Sequence, residues 1–182
     1  MDYPAEWETD YTTKNGLKVV LRPELSRDLE LLWILFSTMS KESISCLLPP
    51  IPRDVVETWV DNIDYDLVLP IVALVTDNGK QKIIASGILR LNEHIPLRHK
   101  AELGVAVHDD YQNVGIGTAM VTHLLSIARN KGLTKVYLHV STANERAIHV
   151  YEKAGFKKEG TLRNESCVNG KYRDEYRMAL LF

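Results

Sequence analysis

Runs of apolar residues and their spacing along the chain predict most of its secondary structure. Aliphatic runs bounded by turn residues predict strands over 17–22, 69–76, 82–91, 101–107, 135–140, 157–164 and 172–181. Apolar residues at helical spacing predict helices from residue 28 to 36 and over 53–62, 114–131 and 144–154. Asn78-Gly79 is typical of a tight hairpin turn, and Gly155 is typical of the residue that ends a helix.

The order of these elements predicts an α/β fold. Strands alternate with helices in the middle of the chain, and hairpin-like strand pairs stand on either side. We therefore expect a single mixed, mostly antiparallel sheet flanked by helices. The chain has 182 residues, of which 45% are apolar and 25% charged. Domains average roughly 150 residues, so we expect residues 1–182 to form one domain.

The charge balance makes nucleic acids and anionic membranes unlikely partners. The chain carries 22 Lys and Arg against 24 Asp and Glu, a net charge of -2. Proteins that bind nucleic acids or anionic membranes normally carry a basic excess. We therefore expect no nucleic acid and no membrane among its partners.

The cysteines and the chain start point to the cytoplasm. Cys46 and Cys167 lie far apart without CxxC spacing, which predicts neither a disulfide framework nor a zinc site. The longest apolar stretch, 29–36, is too short to span a bilayer, and residues 1–6 lack the pattern of a secretory signal. The six histidines show no metal-ligand spacing, so we expect no metal.

A segment with two glycines lies between a predicted strand and a predicted helix. It reads Gln112-Asn113-Val114-Gly115-Ile116-Gly117. Backbone N–H groups at a helix start have no partner within the helix and attract anions, and glycine lets a pyrophosphate approach them. Met120 stands where a dinucleotide-binding loop has its third glycine, and no Gly-Lys-Ser/Thr of a nucleotide-triphosphate loop follows. A pyrophosphate ligand and an ordinary strand-to-helix turn both remain open.

The same segment resembles the Gln/Arg-x-x-Gly-x-Gly/Ala signature of the GNAT superfamily of acyl-CoA-dependent N-acetyltransferases. Further along, 144–147 (Asn-Glu-Arg-Ala) and 151–156 (Tyr-Glu-Lys-Ala-Gly-Phe) are similar to the family's Asn-x-x-Ala and Tyr-x-x-x-Gly-Phe. The resemblance covers about 17–181 and implies the GNAT fold and acetyl-CoA as cosubstrate.

The resemblance also implies where acetyl-CoA would lie. Its pyrophosphate would bind the backbone amides of 113–118, and its pantetheine arm would run between splayed strands 101–107 and 135–140. Backbone groups of 105–107 would bind the pantetheine and polarise the thioester carbonyl. The implied cofactor-binding residues are Val105, Ala106, Val107, Gln112, Asn113, Val114, Gly115, Ile116, Gly117, Thr118, Asn144, Ala147 and Tyr151.

Acetyl transfer to an amine needs a base, because an ordinary alkylammonium has a pKa near 10.4 and must lose a proton before it attacks. Glu102, on the strand before the glycine turn, resembles the strand glutamate that serves as base in protein-acetylating members, directly or through water. The alternative is a Glu102 that faces solvent on an alternating strand. His139 is a reserve base, and neither cysteine has the partners of a covalent nucleophile.

The leaving thiolate needs a proton donor, and the family match assigns that role to Tyr151. Tyr151 shares a helix face with Ala147 and Ile148, so an ordinary core tyrosine is the alternative. Asn144 would contact the pantetheine or a bridging water, or only cap its helix, and the two roles are compatible.

The acceptor is expected to be a protein lysine or an N-terminal amine. Segments 35–45 and 62–75 resemble the Pat-type protein lysine acetyltransferases, whereas 160–163 and 170–175 resemble members that acetylate small amines or protein N-termini. A small-molecule amine, or an acyl-CoA-sensing module without turnover, are the alternatives. Acidic residues would attract a cationic amine if they gathered at one cleft: Asp61, Asp64, Asp66, Glu93 and Glu102. An exposed strand edge near the C-terminus leaves a homodimer open.

Overall fold

Eight strands form one sheet in a computed structural model, which describes residues 4–47 and 50–182. The strands are β1 Thr9–Thr12, β2 Lys18–Pro23, β3 Val68–Asp77, β4 Lys80–Leu91, β5 Lys100–Val107, β6 Lys135–Ser141, β7 Lys157–Val168 and β8 Lys171–Leu181. The helices are α1 Leu29–Thr38, α2 Lys41–Ser45, α3 Arg53–Asp61, α4 Ile116–Asn130 and α5 Glu145–Lys153. Residues 1–3, part of the predicted signal-free start, lie outside the described residues.

The strands lie in the order β1-β2-β3-β4-β5-β6-β8-β7, and every neighbouring pair is antiparallel except β5 and β6. The prediction of a single mixed, mostly antiparallel sheet flanked by helices is therefore confirmed. Each predicted strand and helix is present. The structure adds β1 and α2, which the sequence pattern did not indicate, and extends the seventh strand from 164 to Val168.

Two hairpin turns have the backbone that their Asn-Gly sequences favour. Asn78 and Gly79 have φ angles of 49° and 76°, and Asn169 and Gly170 have φ angles of 52° and 75°. Two successive positive φ angles match the right-handed twist of the strands that they join. These turns set the registers of β3 with β4 and of β7 with β8.

Helices cover the two faces of the sheet and divide the core into two clusters. On one face, here the α4 face, α4 and α5 bury Met120, Leu124 and Ile148 against residues such as Leu103 and Val136. On the other, here the α1 face, α1 and α3 bury residues such as Leu35 and Val60 against β3 and β4 and against Ala106 of β5. Both faces are therefore needed to complete the core.

Alternation along β5 decides which face Glu102 occupies. Ala101 and Leu103 are buried in the cluster of the α4 face, whereas Ala106 is buried in the cluster of the α1 face. Side chains of successive strand residues point to opposite faces. Glu102 therefore lies on the α1 face, opposite the side on which α4 and α5 pack.

Candidate active site

Strands β5 and β6 run side by side only at their starts. Their parallel register extends from Lys100↔Lys135 to Glu102↔Tyr137, although β5 continues to Val107 and β6 to Ser141. Beyond Glu102 the two strands diverge, so backbone groups on the facing edges are available to a ligand. The predicted splay of 101–107 from 135–140 is present beyond Glu102 and Tyr137, whereas residues 101 and 102 are paired with residues 136 and 137.

The glycine turn lies directly after the diverging end of β5. Asn113 and Gly115 have φ angles of 65° and 99°, and Gly115 is the N-cap of α4. Ile116 is buried in the core, so at this residue only the backbone faces outward. Within the described chain no side chain caps the α4 N-terminus, which leaves its first N–H groups available to an anion. The positive φ belongs to Gly115 and not to Gly117.

Substitutions at the two glycines are expected to have different effects. A Cβ at Gly115 would lie 2.9 Å from the Tyr11 hydroxyl on a backbone with φ of 99°, whereas one at Gly117 would lie 3.8 Å from Val107. Gly115→Ala should lower the free energy of unfolding by ~1–2 kcal/mol, the cost of a left-handed conformation. Gly117→Ala should leave thermal unfolding unchanged and weaken acetyl-CoA binding about tenfold, because its methyl group holds the pyrophosphate away from the amides.

Thermal unfolding and calorimetric titration with acetyl-CoA measure both effects. Gly132→Ala is the matched control for strain, because Gly132 has a φ of 74° but stands at the far end of α4 with open space around it. It should lose stability and keep its acetyl-CoA affinity. Unchanged affinity in Gly117→Ala would show that the pyrophosphate binds elsewhere.

Gln112 is held rigidly at the start of the turn. Its Nε2 donates to the Val107 carbonyl at 2.9 Å and to Ser43 Oγ at 3.2 Å, and its Oε1 accepts from Arg146 of α5. The side chain therefore links the end of β5 to α2 and α5. It fixes the start of the turn, and contact of Gln112 with the cofactor stays a prediction.

Asp109 makes a second link between the glycine turn and α2. Its carboxylate accepts from Ser40 N at 2.8 Å, from Ser40 Oγ at 2.7 Å and from Ser43 Oγ at 2.6 Å. Burial alone would raise the pKa of Asp109, but these hydrogen bonds outweigh it and lower the pKa to about 2. Arg173 of β8 donates to the carbonyl of Ser45, so α2 also contacts a strand on the β6 side of the gap.

Glu102 is held between two neighbouring strands. Its Oε2 lies 3.4 Å from Arg90 Nη1 of β4, and its Oε1 lies 3.5 Å from His139 Nδ1 of β6. The side chain is 31% exposed. It is therefore neither a free surface carboxylate nor a core residue, but an oriented acid beside the gap between β5 and β6.

Tyr137 and two cations complete the surroundings of Glu102. Arg177 lies 4.7 Å from the centre of the Tyr137 ring, and Lys100 lies 5.5 Å from it. Burial, followed by the charge of Glu102, raises the pKa of Tyr137. The α1 face beside the gap thus carries Glu102 among three cationic side chains, those of Arg90, Lys100 and Arg177.

Tyr151 lies on the other face of the sheet, in the core cluster of α4 and α5. It is 8% exposed, and its ring packs edge-on against Phe156 at 5.8 Å. Its hydroxyl donates to no other described residue, and burial raises its pKa to about 12. Glu102 and Tyr151 therefore stand on opposite faces of the sheet, and they can act on one molecule only through the gap between β5 and β6.

Asn144 caps α5, because its Oδ1 accepts from Ala147 N at 3.1 Å. The capping role is present, and contact with pantetheine stays a prediction. Two of the acidic residues expected at one cleft lie in a cavity that Glu102 does not line. Asp66 and Glu93 line a cavity of about 370 Å³ with Arg98 and Lys131, and Glu102 is not among its lining residues.

A sequence profile of the Acetyltransferase (GNAT) family matches residues 36–156, more than half of the chain. This chain belongs to that family. The match includes Glu102, the glycine turn and Tyr151, so the family and the described site occupy the same part of the sheet.

Curated relatives in the family act on different amines. The chain is 32% identical to the spermidine N(1)-acetyltransferase of Vibrio cholerae over 59% of its own length and 61% of the relative. It is 31% identical to the [ribosomal protein bS18]-alanine N-acetyltransferase of Escherichia coli K12, over 58% of its own length and 67% of the relative. The chain thus spans only part of the length of these relatives.

Two solved structures share the fold. The GNAT domain of PAT from S. lividans has a TM-score of 0.79 at 24% identity, with all of both chains covered. Spermidine N-acetyltransferase from Vibrio cholerae in complex with CoA and spermine has a TM-score of 0.75 at 26% identity, covering 90% of this chain and 95% of that one.

Sequence reasoning missed the partners of the predicted residues. Arg90 stands opposite Glu102 in the antiparallel register of β4 and β5, and a hairpin-like spacing of two strands is the signal that suggests it. Asp109 and α2 come together over a long sequence separation, which no local pattern indicates.

Over 4–47 and 50–182, no three His, Cys, Asp or Glu side chains come close enough together to hold a metal ion. None of the helices in this part of the chain is long and apolar enough to cross a membrane.

Proposed function

We propose that this protein transfers the acetyl group of acetyl-CoA to a primary amine of a protein, a lysine or an N-terminus, by direct attack. The observation that carries the proposal is the divergence of β5 from β6 beside an uncapped helix start at Gly115. That gap suits a narrow arm with a pyrophosphate at one end. Both cysteines are free and exposed, which supports a reducing compartment such as the cytoplasm.

In the proposed reaction, backbone groups bind acetyl-CoA and two side chains move protons. Amides of 113–118 bind the pyrophosphate, and backbone groups of 105–107 bind the pantetheine and polarise the thioester carbonyl. Glu102 stands on the α1 face, where the acceptor arrives, and its carboxylate takes up the ammonium proton, directly or through water. Tyr151 stands on the α4 face and donates to the leaving sulfur.

Tyr151 serves as a hydrogen-bond donor more than as a strong acid. Because burial raises its pKa to about 12, the hydroxyl keeps its proton at every physiological pH. An ordinary thiol has a pKa near 8.5, so full transfer of the phenol proton to the thiolate is uphill by about 3.5 pKa units. A hydrogen bond to the developing thiolate lowers the barrier without that full transfer, and the tyrosine then passes on a proton from the acylated nitrogen.

Tyr151→Phe is expected to lower kcat by about 10²-fold, the usual effect of removing a positioned proton donor. Thermal unfolding and acetyl-CoA affinity should not change, because the hydroxyl bonds to no described residue and the ring still packs on Phe156. Thiol release with acetyl-CoA and a peptide amine measures the effect. Tyr172→Phe, at a side chain 69% exposed, is the control and should match the wild type. A wild-type kcat in Tyr151→Phe would reduce Tyr151 to a core residue.

The charges around Glu102 bear on the choice of acceptor. The positive charges of Arg90, Lys100 and Arg177 repel an acceptor with several ammonium groups more strongly than a peptide amine that carries one. This favours a lysine or N-terminal amine, in line with the relative named for ribosomal protein bS18-alanine. A small amine is the second candidate, and the relatives named spermidine N(1)-acetyltransferase favour it.

Three acceptors test the proposal directly: an alanine-initiated peptide without lysine, an N-terminally blocked lysine peptide, and spermidine. Each is mixed with the purified protein and acetyl-CoA, thiol release is followed, and mass spectrometry locates the acetyl group. We expect turnover of a peptide and slower turnover of spermidine. Faster turnover of spermidine would favour the second candidate. Acetyl-CoA binding without turnover, and without label transfer in a cell lysate, would support the sensing module instead.

A further inference from the structure

We propose that His139 is the residue that takes the proton from the acceptor amine. Glu102 and His139 then form a carboxylate–imidazole pair, in which Glu102 orients the ring and stabilises its charge. The inference rests on the proposed function, because it concerns the same acceptor at the same gap. It replaces removal of the proton by Glu102 alone, or through water, with removal by His139 Nε2.

His139 lies on the same face of the sheet as Glu102, beside the gap between β5 and β6. It is two residues beyond Tyr137 on β6, so it shares the α1 face with Tyr137 and Glu102. The register of β5 and β6 ends at Glu102↔Tyr137, so His139 stands on the diverging part of β6. Its Nδ1 lies 3.5 Å from Glu102 Oε1, which spans the opening of the gap.

The other ring nitrogen of His139 has no partner. Nε2 is shielded from solvent and makes no hydrogen bond with any described residue. A buried polar atom without a partner destabilises the fold, so folded proteins rarely keep one. A ligand that supplies a hydrogen-bond donor at Nε2 removes this cost.

The position of Glu102 selects the form of the ring that can act as a base. A carboxylate oxygen 3.5 Å from Nδ1 favours a hydrogen on that nitrogen. In the neutral ring Nε2 then carries a lone pair and accepts. An arriving ammonium is a donor with a proton to lose, so Nε2 and the acceptor complement each other.

Charged groups on three strands face the pair. Arg90 of β4 contacts Glu102, and Arg177 of β8 stands opposite His139 in the register, where it also contacts Glu159 and the Tyr137 ring. Glu102 stabilises the positive charge that forms on the ring when the proton arrives.

The proposed proton path balances. The N–H bond of the ammonium breaks, and its proton moves to Nε2 and later to solvent. The neutral amine attacks the thioester carbonyl, so a C–N bond forms and the C–S bond breaks. The second proton of the acylated nitrogen reaches the thiolate by way of the Tyr151 hydroxyl. The products are the amide, CoA with a free thiol and one proton in solution.

Four variants test the pair: His139→Gln, Glu102→Gln, the double variant, and His149→Gln as a control at an exposed histidine on α5. The acceptor is the peptide that the wild type acetylates fastest. We expect His139→Gln to lower kcat/KM by at least about 10²-fold and to remove the fall of kcat/KM toward acid pH. Acetyl-CoA affinity should stay at the wild-type value. The double variant should be no slower than the slower single variant, because the two residues act as one unit.

A loss of less than about tenfold in His139→Gln, with the acidic limb retained, would overturn the role of His139 and leave Glu102 as the base. No wild-type turnover of any acceptor would overturn the proposed function, and the proton path with it. Thermal unfolding identifies a variant that is not folded. Nitrogen NMR of the wild-type imidazole then gives a readout without substitution: we expect hydrogen on Nδ1 and a bare Nε2, and the opposite tautomer would overturn the proposal.

Discussion

Glu102→Gln is expected to lower kcat for amine acetylation by 10²- to 10⁴-fold, the range of a lost base. Glutamine keeps the size of the side chain and can still contact Arg90, but it has no carboxylate to accept the ammonium proton and no negative charge to stabilise a protonated His139. The effect is expected whether the proton moves to the carboxylate or to the imidazole. Acetyl-CoA affinity should not change, since Glu102 stands on the face opposite Tyr151 and apart from the glycine turn.

Glu159→Gln is the matched control for this variant. Glu159 is a half-exposed carboxylate on β7 that also pairs with cations, Lys135 and Arg177, and the bond from Lys135 is the main reason why its pKa is lowered. Its loss changes the local charge as much as the loss of Glu102 does. We expect Glu159→Gln to keep kcat within about threefold of the wild type. If both variants lost activity equally, the effect would come from the field of the arginines and not from a base.

Regular periodicity explains which elements could be predicted. The α4 stripe, with Ile116, Met120 and Leu124, is buried as expected, because a surface helix must show its apolar face in the sequence. The short helix α2 reads Lys-Glu-Ser-Ile-Ser and has no apolar stripe. Ser40, which caps it, and Asp109, which bonds to it from the far end of β5, hold it in place. Such long-range polar contacts leave no local pattern.

Some residues of the candidate site could be predicted from short local motifs, whereas others depend on contacts between distant segments. Gly115, Asn144 and Tyr151 stand in short motifs whose spacing reflects one turn and one helix, so the sequence predicts their places. The neighbours of Glu102 depend on registers between strands. The antiparallel pairing of β4 with β5 places Arg90 beside Glu102. The parallel pairing of β5 with β6, two strands that α4 separates in the sequence, places His139 beside it. Strand register between distant segments depends on packing, which the sequence shows only indirectly.

A buried carboxylate far from this gap is expected to make the fold less stable as the pH rises. Glu24 is 6% exposed, beside the buried ion pair of Arg22 and Asp28, and Tyr65 donates to its backbone carbonyl at 2.6 Å. Burial, with the charge of Asp28 adding to it and that of Arg22 opposing it, raises the pKa of Glu24 from 4.5 to about 8. Between these values the folded protein holds a proton that the unfolded chain has lost, so stability falls as pH rises from about 4.5 through about 8.

The size of this effect is set by the shift and is at most ~5 kcal/mol, since each pKa unit is worth about 1.4 kcal/mol. Glu24→Gln should remove the dependence, so that urea unfolding finds the variant more stable than the wild type above about pH 8 and close to it near pH 5. Glutamine mimics the protonated acid, which is the form that the fold prefers. Glu165→Gln, at an exposed carboxylate on β7, should follow the wild-type curve. If the stability of Glu24→Gln changed with pH in parallel with that of the wild type, the Glu24 carboxyl would be ionised in the folded protein. Arg22 would then stabilise the charges of both Asp28 and Glu24.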